Sequence, residues 1–90
     1  MRILLIDEDK EFLDSMLVEV EKDYVVDVAY NGIEGTDLSQ INDYDVMVVG
    51  DMLPDMEGFE VCKNVRVANV TTPIIYISRT NDVSRKVAGL

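Results

Sequence analysis

The sequence predicts an α/β domain of the doubly wound class, in which helices cover both faces of a parallel sheet, from three observations. Four short apolar runs, at residues 2–6, 24–29, 46–49 and 74–77, have the length and composition of strands. Segments with helical spacing of apolar residues lie between the runs, and this alternation is typical of βα units. Acidic and hydroxyl residues directly follow several runs, where such sheets place their functional groups.

Length, charge and cysteine content narrow the class of protein. Ninety residues are enough for one domain, and we assign residues 1–90 to it. The single cysteine, Cys62, cannot form an internal disulfide, which favours a reducing, cytoplasmic setting. No signal peptide or membrane span is evident in the sequence. A net charge of -10 argues against direct binding of nucleic acid by this segment.

The first two strands and the helices after them are predicted from local patterns. The helix after the first strand begins behind Asp9, an expected N-cap, and carries one apolar face, formed by Phe12, Leu13, Met16, Leu17 and Val20. Asp27 interrupts the second strand, which therefore suits an edge of the sheet. A second helix, from about Ile33 to Ile41, follows the turn pair Asn31-Gly32.

The second half of the chain repeats the alternation. A third helix is expected to begin near Gly58, with an apolar stripe formed by Phe59, Cys62 and Val65. Pro73 opens the fourth strand. A fourth helix is expected from about Asp82, with Val83, Val87 and Leu90 along one side.

Polar residues at three strand ends are the candidate site. Asp7, Glu8 and Asp9 follow the first strand, an acidic loop at residues 50–59 follows the third, and Ser78 follows the fourth. Crowded carboxylates repel one another unless a cation or a positive helix end offsets their charge. Both a Mg²⁺ site and a helix cap therefore remain open for the first group.

Four stretches carry a resemblance to a known family: residues 2–9, 44–49, 53–62 and 72–78. The most characteristic of them is in the third stretch, where residues 53–60 read Leu-Pro-Asp-Met-Glu-Gly-Phe-Glu. With these stretches the chain resembles the receiver domains of two-component response regulators, and most resembles the winged-helix, OmpR-like branch.

The resemblance implies a flavodoxin-like sheet with strand order 2-1-3-4-5 and a phosphorylation switch. In such a switch a histidine kinase supplies a phosphoryl group to an aspartate at the end of the third strand. Mg²⁺ would be held by the acidic pair Asp7 and Glu8, and the hydroxyl that turns toward the phosphoryl group would be Ser78.

The acceptor position departs from the family pattern. The family's aspartate lies four residues before the loop proline, and counting back from Pro54 gives Gly50, which has no side chain to phosphorylate. Asp51 is one place later, and a slip of one residue along a strand turns a side chain to the other face. Glu8 in place of aspartate and Arg79 after Ser78 further alter the pocket. We therefore expect Mg²⁺ binding to be weak or absent.

The leading hypothesis is an atypical receiver domain that is not an enzyme and is not switched by ordinary aspartyl phosphorylation. It would be the N-terminal regulatory part of a DNA-binding transcription regulator, acting through dimerisation or partner binding. A second hypothesis keeps a conventional receiver in which a bulge re-aims Asp51 as the acceptor. A third is a haloacid-dehalogenase-like phosphohydrolase with Asp7 as nucleophile and Asp9 as general acid.

The fifth strand and helix that the resemblance implies, with their lysine and aromatic switch residue, would lie beyond Leu90. The fourth strand would then be an apolar, unprotected edge. We therefore expect the chain either to be a piece of a longer protein or to self-associate, as a homodimer for example, through this end.

Overall fold

The computed structural model describes residues 1–78 and shows the predicted alternation of strands and helices. Its elements are β1 (Arg2–Ile6), α1 (Lys10–Val20), β2 (Val25–Ala29), α2 (Gly32–Ile41), β3 (Val46–Gly50), α3 (Gly58–Val67) and β4 (Ile74–Ile77). The predicted fourth helix, with Val83, Val87 and Leu90, lies outside the described residues, as does Arg79. No helix within residues 1–78 has both the length and the apolar character that crossing a bilayer requires.

The four strands form one parallel sheet in the order β2-β1-β3-β4, which confirms the predicted fold class and strand order over residues 1–78. β2 lies at an edge, as the interruption by Asp27 indicates. Ile6 at the end of β1 is aligned with Val49 of β3, and Gly50 is aligned with Ile77 of β4. This register brings the residues that follow β1, β3 and β4 together at the carboxyl ends of the strands.

Two apolar clusters cover the two faces of the sheet, because successive strand residues point to opposite sides. On one face, Val61 and Val65 of α3 pack against strand residues of β1 and β3, which are Leu4, Ile6, Met47 and Val49. Ile3 and Leu5 pack with Leu13 of α1, and the partly buried Phe12, Met16 and Val20 join this second cluster.

The caps of the first two helices explain where they begin. The backbone N–H of Phe12 donates to the Asp9 carboxylate at 3.0 Å, so the predicted N-cap is confirmed. In the same way the backbone N–H of Glu34 donates to the Asn31 side chain at 2.8 Å. Asn31 is therefore the N-cap of α2, and the helix begins at Gly32, one residue earlier than predicted.

The predicted apolar stripe of α3 was wrong in part. Phe59 is 44% exposed, whereas Val61 and Val65 are fully buried and Cys62 is intermediate. The cause is Gly58, which packs so close to β3 that an added Cβ would lie 2.9 Å from the carbonyl carbon of Gly50. The helix therefore faces the sheet through Gly58, Val61 and Val65, at helical spacing i, i+3, i+7.

Candidate functional site

Gly50 and Asp7 lie side by side at the ends of β3 and β1. A Cβ built on Gly50 would lie 2.9 Å from Cγ of Asp7 and closer still to its Oδ2. The Asp7 carboxyl therefore occupies the space that a side chain at position 50 would need. Asp7 is only 2% exposed, and its Oδ1 accepts a hydrogen bond from the Asp9 backbone N–H at 2.9 Å.

The acidic residues after β1 have different surroundings. Asp7 is buried, Glu8 is exposed, and Asp9 caps α1. Within residues 1–78 no three acidic, histidine or cysteine side chains come close enough together to hold a metal ion. Mg²⁺ needs near-octahedral oxygen ligands and gives up its water reluctantly. Position 50 supplies no third carboxylate, and one oxygen of Asp7 accepts a backbone N–H.

Asp51 contacts Ser78. The Ser78 hydroxyl donates to Oδ2 of Asp51 at 3.2 Å, and Asp51 is only 4% exposed. The backbone of Asp51 is also held, because its N–H donates to the Ile77 carbonyl at 2.9 Å and its carbonyl accepts from the Gly58 N–H at 2.9 Å. Asp51 thus joins the end of β3 to the end of β4 and to the start of α3.

Asp55, in the loop between β3 and α3, contacts the start of α2, a link that sequence reasoning missed. Its carboxylate accepts from the backbone N–H groups of Gly32, at 2.7 Å, and Ile33, at 2.9 Å. Desolvation acts to raise the pKa of Asp55, but these backbone N–H donors outweigh it and leave the pKa lowered. No local pattern reveals the contact, since the partners are more than 20 residues apart.

A second polar group that the sequence did not reveal surrounds Asp27 of β2. The Tyr44 hydroxyl donates to Oδ2 of Asp27 at 2.6 Å, and the Arg2 guanidinium donates to the same oxygen at 2.8 Å. The hydrogen bond from Tyr44 is the main cause that lowers the pKa of Asp27; desolvation opposes it, and Arg2 lowers the pKa further. Burial, followed by the hydrogen bond to Asp27, raises the pKa of Tyr44.

Similarity to known proteins agrees with this fold. A family model described as the response regulator receiver domain matches residues 3–90. The chain is 37% identical over 90 residues to response regulator ArlR of Staphylococcus saprophyticus, covering 99% of this chain and 40% of that protein. It is 36% identical over 94 residues to cell cycle response regulator CtrA of Brucella ovis, covering 39% of that protein. The chain thus spans about two-fifths of the length of these relatives.

Solved structures show the same fold. The receiver domain of Francisella response regulator 1452 superposes with a TM-score of 0.86 at 30% identity, over 98% of this chain and 74% of that one. A CheY-like receiver domain protein from Methanospirillum hungatei also superposes with a TM-score of 0.86, at 26% identity, over 96% of this chain and 70% of that one. From the family match and these relatives, the chain belongs to the response regulator receiver domain family.

Proposed function

We propose that this receiver domain of two-component signalling is an atypical one, whose state is not set by ordinary aspartyl phosphorylation. The observation that carries the proposal is the close packing of Gly50 against Asp7. The family's acceptor position maps onto Gly50, and the carboxyl of Asp7 fills the volume in which an acceptor side chain would stand. A phosphoryl group needs a nucleophilic oxygen, and glycine supplies none.

We propose that Mg²⁺ binds weakly or not at all, with Asp7 and Glu8 as the residues that would contact it. Support comes from the Asp7 oxygen engaged by the Asp9 N–H at 2.9 Å and from the missing carboxylate at position 50. A metal bound by Asp7 would share the carboxylate with that hydrogen bond, and Gly50 would add no side-chain ligand.

Phosphorylation of the chain by acetyl phosphate with Mg²⁺, followed by intact-protein and peptide mass spectrometry, tests the main proposal. We expect no adduct on the wild-type chain and none on the Asp51→Asn control. Gly50→Asp restores a carboxylate at the acceptor position and serves as the positive comparison. An alkali-labile adduct on wild-type protein that disappears in Asp51→Asn would contradict the proposal.

That outcome would instead support the second candidate, a conventional receiver phosphorylated on Asp51. The observation in its favour is the hydrogen bond from the Ser78 hydroxyl to Asp51 at 3.2 Å, since the family's switch hydroxyl maps onto Ser78. An Asp51 oxygen would attack phosphorus, and the phosphorus–oxygen bond to the leaving acetate would break. The 4% exposure of Asp51 and its fixed backbone weigh against this attack.

The wider role follows the family. We propose that the domain acts in the cytoplasm as the regulatory part of a longer, DNA-binding response regulator, with a histidine kinase among its partners and homodimerisation as one way of working. Support comes from the two response regulators of which it covers about two-fifths. Receiver domains are signalling domains, so family membership favours this role over a phosphohydrolase that uses Asp7 and Asp9. Sedimentation of the chain over a range of concentrations tests the dimer.

A further inference from the structure

A groove lies between α2 and the loop after β3, apart from Gly50 and Asp7. Its volume is about 680 Å³, within the usual range of ligand pockets. The apolar part of its lining comes from Tyr30, Ile33, Leu38 and Pro54. Ile33 is 60% exposed although it is a large aliphatic residue in the first turn of α2. The groove therefore offers apolar surface that a ligand could bury.

The two walls of the groove are fixed to each other. The Asp55 carboxylate of one wall accepts from the Gly32 and Ile33 N–H groups of the other, at 2.7 and 2.9 Å. A Cβ added to Gly32 would lie 2.6 Å from Sδ of Met56, so loop and helix also touch at this point. Since the walls are already joined, binding would require little ordering, which favours affinity.

The rim of the groove is negatively charged. Glu34 and Asp37, one helical turn apart on α2, line it together with Asp55. Within residues 1–78, neither Glu34 nor Asp37 forms a salt bridge with a lysine or arginine. The carboxylates of these two residues are exposed, so a cationic group placed beside the apolar surface would meet complementary charge.

We propose that this groove binds a basic, apolar peptide segment of a partner protein, with an aliphatic side chain on the apolar lining and a lysine or arginine between Glu34 and Asp37. Like charge at this acidic rim disfavours nucleic acid, and a second copy of this chain with its net charge of -10, as occupants of the groove; the proposed dimer would form through another surface. Binding in the groove is independent of the phosphorylation proposal, because none of the residues Asp7, Glu8, Gly50, Asp51 and Ser78 lines the groove.

Titration of the isotope-labelled chain with the capped peptide Leu-Lys-Lys-Leu-Leu-Lys-Lys-Leu, followed by amide chemical shifts without a phosphodonor, tests the proposal. We expect saturable shifts at the first two turns of α2 and around Asp55. The same peptide with glutamate in place of lysine should not bind. Equal binding of the glutamate peptide, shifts confined to other surfaces, or no binding at millimolar peptide would each overturn the proposal.

Paired variants separate the groove from general electrostatic attraction. Glu34→Gln with Asp37→Asn should weaken binding about fivefold or more, as the loss of two surface charge contacts predicts. Glu11→Gln with Asp14→Asn on α1 removes the same residue types at the same spacing, and should change affinity less than about twofold. Equal weakening by the two pairs would contradict the proposed site.

A second pair of variants tests the apolar contact. Ile33→Ser should weaken binding, whereas Ile41→Ser, at the far end of α2 and 73% exposed, should leave it unchanged. Both residues are exposed, so both variants should fold, and dispersed amide spectra verify this. Shifts in the groove that depend on protein concentration without peptide would instead assign it to a second copy of the chain and overturn the proposed occupant.

Discussion

Gly50 packs against the carboxyl of Asp7, so a side chain added at position 50 tests this contact. No glycine within residues 1–78 has a positive φ, so the backbone at Gly50 accepts an alanine. Without a clash, alanine would stabilise the chain by about 0.5–1 kcal/mol through the unfolded state. The new methyl group would instead meet the Asp7 carboxyl, 2.9 Å away at Cγ. A movement of that carboxyl would strain its hydrogen bond from the Asp9 N–H, which is 2.9 Å long.

We therefore expect Gly50→Ala to destabilise the fold by about 1–3 kcal/mol, the usual cost of overpacking. Urea denaturation measures the loss. In an Asp7→Ala background the same substitution should cost nothing or stabilise the fold by up to about 1 kcal/mol, because the group it meets is gone. Equal costs in the two backgrounds would show that Gly50 does not pack against Asp7.

The hydrogen bond from Tyr44 to Asp27 should make the stability of the fold depend on pH. The folded-state pKa of Asp27 is lowered from its ordinary 3.8, first by the Tyr44 hydroxyl and then, against desolvation, by Arg2. A lowered carboxyl pKa contributes stability above the unfolded-state value, and the contribution is lost as pH falls through the folded-state value. Tyr44→Phe should cost about 1–2 kcal/mol at neutral pH, and the cost should shrink below about pH 4.

Thermal or urea unfolding as a function of pH checks this expectation. Tyr30→Phe is the matched control, since the Tyr30 hydroxyl makes no hydrogen bond in the described part of the chain. It should alter stability by less than about 0.5 kcal/mol. A Tyr44→Phe cost that stays constant into the acid range would contradict the contact with ionised Asp27.

The sequence could predict that Asp27 interrupts a strand but could not reveal its partners. Asp27 is joined to residues 17 and 25 positions away, and such contacts appear only when the sheet is assembled. The contact of Asp51 with Ser78 is of the same kind, since the residues belong to different strand ends 27 positions apart. Counting back from Pro54 identified Gly50, but its packing against Asp7 depends on the register of β1 and β3.

At the scale of elements, α2 depends on two caps, of which one comes from a distant loop. Asp55 supplies acceptors for the N–H groups of Gly32 and Ile33, which would otherwise lack partners at the start of the helix. Asp55→Ala should destabilise the fold by about 1 kcal/mol and speed amide exchange in the first turn of α2. Asp43→Ala, which removes an exposed loop carboxylate after α2, is the control.

The pH dependence of this cap has a definite sign. Desolvation raises the pKa of Asp55, but the backbone donors from Gly32 and Ile33 outweigh it and lower the pKa. The contribution of the cap is therefore present above the unfolded-state pKa and fades as pH falls through the lowered value. Equal exchange rates in Asp55→Ala and Asp43→Ala at neutral pH would contradict the role of Asp55.

Local patterns predicted where most elements lie, because apolar spacing and caps act within a few residues. They did not predict the rotation of α3 about its axis. Phe59 was expected on the buried stripe, yet the contact of Gly58 with β3 turns Val61 inward instead. That rotation depends on how closely two backbones approach, and hydrophobic spacing alone does not encode it.

At the scale of the whole molecule, the net charge of -10 over 90 residues sets the response to salt. Like charges repel in the compact state, and added salt screens this repulsion. Both NaCl and MgCl₂ should therefore raise the melting temperature from its value at low ionic strength. The comparison of the two salts at equal ionic strength separates screening from specific binding of Mg²⁺.

If Mg²⁺ binds weakly or not at all, the two salts should give melting temperatures that agree within about 1 °C at matched ionic strength. If the chain had a specific site, Mg²⁺ at about ten times its Kd would add about 1.4 kcal/mol to the free energy of unfolding. For a domain of this size that gain raises the melting temperature by several degrees. Gly50→Asp supplies the positive control, because a carboxylate beside Asp7 creates both repulsion and a pair of metal ligands. It should melt lower than wild type in NaCl and recover part of the loss in MgCl₂.

A Mg²⁺-specific shift of several degrees in the wild-type chain would contradict the proposed weakness of the site. A Gly50→Asp variant that gains nothing from Mg²⁺ would argue against the register that sets Gly50 beside Asp7.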